Sequence, residues 1–255
     1  MGDLVWRNWK DRDWEFKAKV NPLFAVQTTS DMAEATGSNF PPELLEALFA
    51  RGRKLFRKNI ASLLADYDDP LVVEYGCGVG RILKAATDAG YRCVGIDISP
   101  TMLAHCRDLA PQVQDLYSVD EQGRTSVQDA CAQLVFSYAV LQHIPTLSAY
   151  LTALDEICRI LAPGGTLAIH FNCEDFADGD LSAPGRTENF ETYSLHYRPG
   201  DITPYLRHVQ DSWSGVYIGR ERLIEHLAER GLAIARWRVH QASKPRGVWA
   251  LAQRK

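Results

Sequence analysis

The sequence predicts an α/β fold: a doubly wound, mostly parallel sheet with helices on both faces. Two observations carry that reading. Between residues 71 and 171, short apolar runs alternate with helical periodicities, the pattern of a parallel sheet whose crossovers are helices. The first run, LVVEY (71–75), opens directly into glycines at every second position, Gly76, Gly78 and Gly80. A bare backbone at the carboxyl end of a buried strand lies where open α/β sheets bind ligands.

The elements follow in order. Pro41 and Pro42 open a helix with Leu44, Leu48, Phe49, Leu55, Phe56, Ile60 and Leu64 on one face. After LVVEY, the apolar residues Val79, Ile82, Leu83 and Ala86 recur at helical spacing, and Gly90 stops that helix. RCVGID (92–97) reads as the second strand. Ser99 caps the next helix, with Pro100 in its first turn. VQDLYSV (113–119) and QLVFSY (133–138) read as strands three and four. Leu147, Leu151, Leu154, Ile157, Cys158 and Leu161 form the clearest amphipathic helix, ended by Pro163-Gly164-Gly165 before the strand TLAIHF (166–171). Periodicity lapses over 172–216, a stretch too long for a passive connection, which suggests a lid or substrate-covering insert. RERLIEHLAERG (220–231) is helical, and LAIARWRV and GVWALAQR close the chain as an antiparallel pair. The expected division is an N-terminal helical extension or cap, 1–66, and one domain, 67–255, carrying the insert at 172–216.

Composition narrows the function classes. The chain has 255 residues, 46% hydrophobic and 24% charged, an ordinary globular balance. A net charge of −4 gives no basic field for nucleic acid or an anionic membrane. No apolar run reaches the roughly 18 residues of a membrane span. The start, MGDLVWRNWKDRDWEF, lacks the apolar segment of a secretory signal, and Trp6 breaks the myristoylation pattern. Six scattered cysteines without a CxxC pair point to a reduced, cytoplasmic protein with buried thiols and no metal site. Nothing in the sequence speaks to oligomeric state.

The glycine loop selects the ligand. A dinucleotide fingerprint, GxGxxG, needs a third glycine where Arg81 stands, and the Walker pattern GxxxxGK is absent. What remains is ExGxGxG after the first strand and an acid, Asp97, ending the second. Glycines let a flat nucleoside and an amino-acid tail lie on the backbone. A strand-end carboxylate can accept both ribose hydroxyls. The ligand expected is one with a ribose and a charged tail but no phosphate.

Four segments, EYGCGVGR (74–81), GIDIS (95–99), LVFSYAVLQHIP (134–145) and LAPGGTL (161–167), resemble in order and spacing the class I, Rossmann-like S-adenosylmethionine-dependent methyltransferases. They cover the middle two-fifths of the chain. The resemblance implies a seven-stranded sheet with a C-terminal antiparallel hairpin and S-adenosyl-L-methionine as cofactor, S-adenosyl-L-homocysteine as product. It also implies that Gly76, Gly78 and Gly80 pass under the cofactor and that Asp97 holds the ribose. Ile98 and Met102 would lie near the adenine, and Ser137 and Tyr138 would border the methionine and sulfonium. Glu121 is assigned to the adenine loop. Gln133 departs from the Asp that many relatives carry at that position. Glu74, Cys77 and Arg81 complete the cofactor set, Glu74 touching the ligand or organising the loop through backbone N–H groups. Cys77 is read as a small loop filler rather than a nucleophile, because no motif places a base beside it.

The acceptor side is read from position alone. His143 follows strand four and is either a general base or a cap for the next helix. His170, at the carboxyl edge of strand five, is a pocket candidate. Trp6, Trp9 and Trp14 either cover the cofactor or staple the extension to the domain. In the insert, His196, Tyr197 and Arg198 suggest a polar, aromatic substrate pocket. The expected activity is methyl transfer to an O or N of a small-molecule acceptor: a sugar, an amino-containing metabolite or a peptide natural product. Nucleic acid is not expected, because the Asp/Asn/Ser-Pro-Pro-Tyr/Phe loop of base-methylating enzymes is replaced by Ser137-Tyr138-Ala139-Val140. The alternatives are a nicotinamide-dependent oxidoreductase and a catalytically idle binding relative.

Overall fold

The computed structural model describes residues 14–26, 40–113, 115–144, 146–173, 192–193, 215–216, 218–239 and 246–255. Trp6, Trp9, His196, Tyr197 and Arg198 lie outside them, as does most of the 172–216 insert.

Helices α1 (Glu15–Val20), α2 (Pro22–Val26) and α3 (Pro42–Asn59) precede the sheet. The core then runs β1 (Leu71–Tyr75), α4 (Leu83–Asp88), β2 (Arg92–Asp97), α5 (Pro100–Leu109), β3 (Asp115–Ser118), β4 (Ala132–Tyr138), α6 (Leu147–Ile160) and β5 (Leu161–Cys173). Two short strands, β6 (Thr192–Tyr193) and β7 (Gly215–Val216), pair with each other. Then come α7 (Arg220–Ala228), β8 (Leu232–Val239) and β9 (Arg246–Arg254). The main sheet has seven strands in the order β3-β2-β1-β4-β5-β9-β8. β9 pairs antiparallel with both β5 and β8, and the other pairings are parallel. Strand order reverses between β1 and β4, so the switch point lies beside the glycine loop.

The apolar pattern explains the layers. β1 and β4 are buried on both faces, as central parallel strands must be. Val73, Ile96, Val135, Leu167 and Ile169 face a core closed by α6 and α7. Val72, Leu134, Phe136 and Ala168 face the opposite core with Phe56 and Leu83. A third cluster joins Ala18, Leu23, Leu44 and Leu48 to Val79 and Met102, so the N-terminal helices pack against the glycine loop and α5.

Two elements differ from the sequence reading. The helix after the glycines starts at Leu83, not Val79. Gly78 and Gly80 have φ of +53° and +77°, which interrupts the right-handed helical backbone until the loop has passed. β5 begins at Leu161 rather than Thr166. Its register jumps from Ala132↔Leu161 to Leu134↔Thr166, so Pro163-Gly164-Gly165 forms an irregularity inside the strand as well as ending the helix.

One contact fixes the height of α3 over the loop. A Cβ on Gly52 would stand 1.9 Å from the Arg81 carbonyl oxygen, so the helix approaches the loop backbone closely because this residue lacks a side chain. Gly52→Ala is therefore expected to destabilise the protein by about 1–3 kcal/mol, the scale of overpacking a filled core, although alanine is the better helix former. Chemical denaturation measures this, and an unchanged midpoint would show that α3 can slide.

Candidate functional site

The site grows from the end of β1. The chain turns under β2, with Gly76 N–H and Cys77 N–H both donating to Ile96 O at 2.7 and 2.9 Å. Gly76 has φ of +81°, and a Cβ there would meet Val140 at 2.3 Å; one on Gly78 would meet Val26 at 2.6 Å. Neither position accepts a side chain. Asp97, at the end of β2, locks the loop: its Oδ2 accepts from Gly78 N–H at 2.8 Å and its Oδ1 from Ser99 N–H at 3.0 Å. Burial pushes the Asp97 carboxyl up to about 6, while hydrogen bonds from Ser99, Gly78 and Ile98 oppose the rise. It is ionised at neutral pH, and each oxygen keeps a lone pair for a ligand hydroxyl.

These residues border a cavity of about 470 Å³ lined by Glu74, Gly76, Cys77, Gly78, Arg81, Asp97, Ile98, Met102, Tyr138 and His143, with Val119, Ala139 and Val140. Trp14, Ala25 and Val26 complete the wall from the N-terminal helices. Glu74 is 3% exposed, and its Oε2 is buried with no hydrogen-bond partner among the described residues. Burial raises its carboxyl well above the usual range, opposed by the Arg81 charge and a hydrogen bond from the Leu83 backbone. Cys77 is held as a thiol, its pKa raised by a hydrogen bond with Cys106 and by burial. Cys77, Cys93, Cys106, Cys131 and Cys158 are free thiols.

Four residues assigned to the site from sequence are not among those lining the cavity. Gly80 abuts α5, where a Cβ would meet Cys106 Sγ at 2.6 Å. Ser137 is fully buried and donates from its hydroxyl to Tyr75 O at 2.8 Å, tying β4 to the end of β1. His170 is 4% exposed and packs in a cross-strand ring cluster with Tyr138 (4.7 Å) and Trp249 (5.4 Å), which also stack on each other at 5.6 Å, so it helps hold Tyr138 in place. Glu121 belongs to the turn following Asp120, outside the lining. Ala139, which sequence reasoning passed over, lines the cavity with φ of +57°. A left-handed alanine is strained, and such strain concentrates at functional sites.

Two further residues, Glu15 and Lys17, came only from the structure. Glu15 of α1 accepts hydroxyl hydrogen bonds from Ser99 (2.6 Å) and Thr101 (2.5 Å) at the start of α5. Its pKa is lowered: burial acts upward, but the hydrogen bonds from Ser99 and Thr101 outweigh it. Lys17 Nζ lies 4.6 Å from the centre of the Trp14 ring. Trp14 in turn meets His143 edge-on at 5.4 Å. Burial and the Lys17 charge press the His143 imidazole down to about 3, so it is neutral at physiological pH.

Comparison with known proteins fits this geometry. Residues 73–169 match the family model of a methyltransferase domain. That stretch is similar to methyltransferase domains, and the seven-stranded sheet has the class I methyltransferase fold. Over 134 residues it is 28% identical to the malonyl-acyl-carrier-protein O-methyltransferase of Pectobacterium atrosepticum, covering 52% of this chain and 49% of that one. The chain spans about half the length of the first curated relatives it matches. Two solved structures share the fold of the methyltransferase domain. One is the magnesium protoporphyrin IX methyltransferase of Synechocystis with bound S-adenosylhomocysteine (TM-score 0.57, 16% identity, 99% of each chain covered). The other is the cyclase SpnF (TM-score 0.53, 16% identity, 82% and 81% covered). At such identities the likeness concerns fold alone.

Glu15 joins the N-terminal helices to the start of α5. Glu15→Ala is expected to cost about 1 kcal/mol, the scale of a lost helix cap. Because the folded pKa is depressed, this contribution is present above the unfolded value of 4.5 and disappears as pH falls through the folded one. Urea titrations of wild type and variant at neutral and acid pH measure it; a gap that persists in acid would assign the loss to packing instead.

Proposed function

We propose that the protein transfers a methyl group from S-adenosyl-L-methionine to an oxygen or nitrogen of a small-molecule acceptor. The carrying observation is the pairing of an ionised Asp97 with the bare Gly76–Gly78 backbone on one cavity. The residues present fit the cofactor. Asp97 would accept the ribose hydroxyls, and Ile98, Met102 and Val119 would flank the adenine. The unpartnered Glu74 Oε2 is suited to the ammonium of the amino-acid tail. The bound cofactor supplies an electrophilic methyl on a positively charged sulfur. Positioning of the acceptor at that methyl supplies on the order of 7–11 kcal/mol in comparable two-partner reactions. Trp14, Ala139, Val140 and Val26 exclude water from the transfer region, and Tyr138, propped by His170 and Trp249, forms a rigid floor.

A sugar, an amino-containing metabolite or a peptide natural product is the acceptor range; nucleic acid is not, supported by the net charge of −4. No helix among the described residues is long and apolar enough to cross a membrane. Among them, no cluster of three or more His, Cys, Asp or Glu is disposed to hold a metal. The free thiols support a reduced, cytoplasmic setting.

S-adenosylhomocysteine is expected to raise the melting temperature, by the equivalent of about 2.7 kcal/mol at a hundredfold excess over Kd, and NADH is expected to have no effect. A shift with NADH alone would falsify the reading. Asp97→Ala should weaken S-adenosylhomocysteine binding by about 1.5–3 kcal/mol, the scale of hydrogen bonds to a charged group.

The pH dependence has a defined sign. The free-protein carboxyl titrates near 6, and only its ionised form accepts both ribose hydroxyls. Affinity should therefore decline as pH falls below about 6, and Asp97→Asn should flatten that decline. Calorimetry across pH measures both, and a wild-type affinity independent of pH through this range removes Asp97 from ribose binding.

A further inference from the structure

At the transfer end of the cavity, no described side chain is placed to take a proton at neutral pH. His143 is too weak a base, with its pKa near 3. Burial favours the protonated forms of Glu74 and Tyr138, opposed in each case by Arg81. Asp97 is ionised, but its oxygens hold Gly78 N–H and Ser99 N–H at the end of β2, and the proposed reading gives their remaining lone pairs to the ribose hydroxyls. Two cationic side chains, by contrast, stand against the aromatic rings of the cavity wall, Arg81 in the lining beside Tyr138 and Lys17 behind Trp14. Arg81 lines the cavity with its guanidinium carbon 5.6 Å from the Tyr138 ring centre. Lys17 is 5% exposed and places its ammonium 4.6 Å from the centre of the Trp14 ring. The cofactor's sulfonium would add a third cation. Trp14 Nε1, which can only donate, is buried without an acceptor among the described residues.

From this placement we propose that the acceptor nucleophile is a carboxylate oxygen, seated against Trp14 and His143 in the combined field of Lys17 and Arg81. The inference rests on the methyltransferase reading and names its substrate class. A carboxylate lone pair forms the bond to the methyl carbon while the carbon–sulfur bond breaks, its electron pair remaining on sulfur. The products are a methyl ester and a neutral thioether, and no proton changes hands. Opposite charges annihilate in a water-poor cavity, where their attraction on approach is strongest. An alcohol would have to lose a proton with no described base to receive it. An amine would become a cation beside Lys17 and Arg81. Lys17 acts as a positioning residue through Trp14; the Trp14 N–H and the neutral His143 ring supply hydrogen bonds to the carboxylate.

Recognition can be measured without turnover. Wild-type protein is first titrated with S-adenosylhomocysteine. Failure to bind would remove the methyltransferase reading and this inference with it, and is distinguishable because it precedes any acceptor. The loaded protein is then titrated with aliphatic and aromatic carboxylic acids and their matched primary amides. At least one acid should bind roughly tenfold or more tightly than its amide, as a hydrogen-bonded charge requires. Lys17→Met should abolish that preference and Lys17→Arg restore it, which a merely structural role would not produce. Equal or absent binding across every pair, after S-adenosylhomocysteine has bound, overturns the proposal. A parallel incubation of the acids with matched alcohols and amines and methyl-labelled S-adenosylmethionine reads the product. Label released as methanol in alkali marks an ester and is the expected result. Label confined to base-stable ethers or N-methyl groups, or no label transferred to any acid, overturns it.

Discussion

The Asp97 carboxylate is the constraint on which the site depends. One oxygen holds the N–H of Gly78 and the other the N–H of Ser99. The loop after β1 and the start of α5 are thereby fixed to the end of β2. Holding a carboxylate at 8% exposure would ordinarily discharge it. The backbone donors limit that effect, so the group stays ionised near neutrality and can still receive further donors. β2 can deliver Asp97 to this point because Gly95 precedes it. A Cβ on Gly95 would meet Leu116 at 2.6 Å and Cys77 Sγ at 2.9 Å, which would push the strand off its neighbours.

Around that fixed point the protein tolerates several unfavourable local features. Ala139 is left-handed at the end of β4, Glu74 buries an oxygen without a partner, and His143 is desolvated far from its ordinary pKa. All of them line one cavity. The surrounding packing sustains them: the Ser137–Tyr75 hydrogen bond fixes the β4 end, and the Tyr138–His170–Trp249 cluster fixes the ring beyond it. Local cost concentrated at a pocket and stabilised by a well-packed sheet is the usual physical form of a functional site.

The N-terminal helices are part of that pocket as well as packing for the core. Glu15 ties α1 to α5, Val26 sits where a Gly78 side chain would lie, and Trp14 contributes to the cavity wall. A ligand touching Asp97 and Trp14 together would favour the docked arrangement of these helices over any other. Ligand affinity and cap docking are then linked through the same contacts.

The sequence by itself determined the sheet and the glycine-loop and Asp97 part of the cavity. Apolar runs of strand length, helical spacing and capping residues such as Ser99 are properties of neighbouring residues, and so are the glycine triplet and Asp97. Local sterics leave little else for those stretches to do. Tertiary structure decided which side chains line the cavity. Gly80, Ser137 and His170 occupy positions beside true lining residues, yet pleat and packing turn them toward α5, β1 and Trp249. Glu15 meets Ser99 across 84 positions, and Gly52 meets the Arg81 carbonyl across 29. No spacing rule spans such separations. The same holds for His143: its type and place were legible, but its loss of basicity arises from burial and from Lys17, a residue brought near only when α1 packs against the domain.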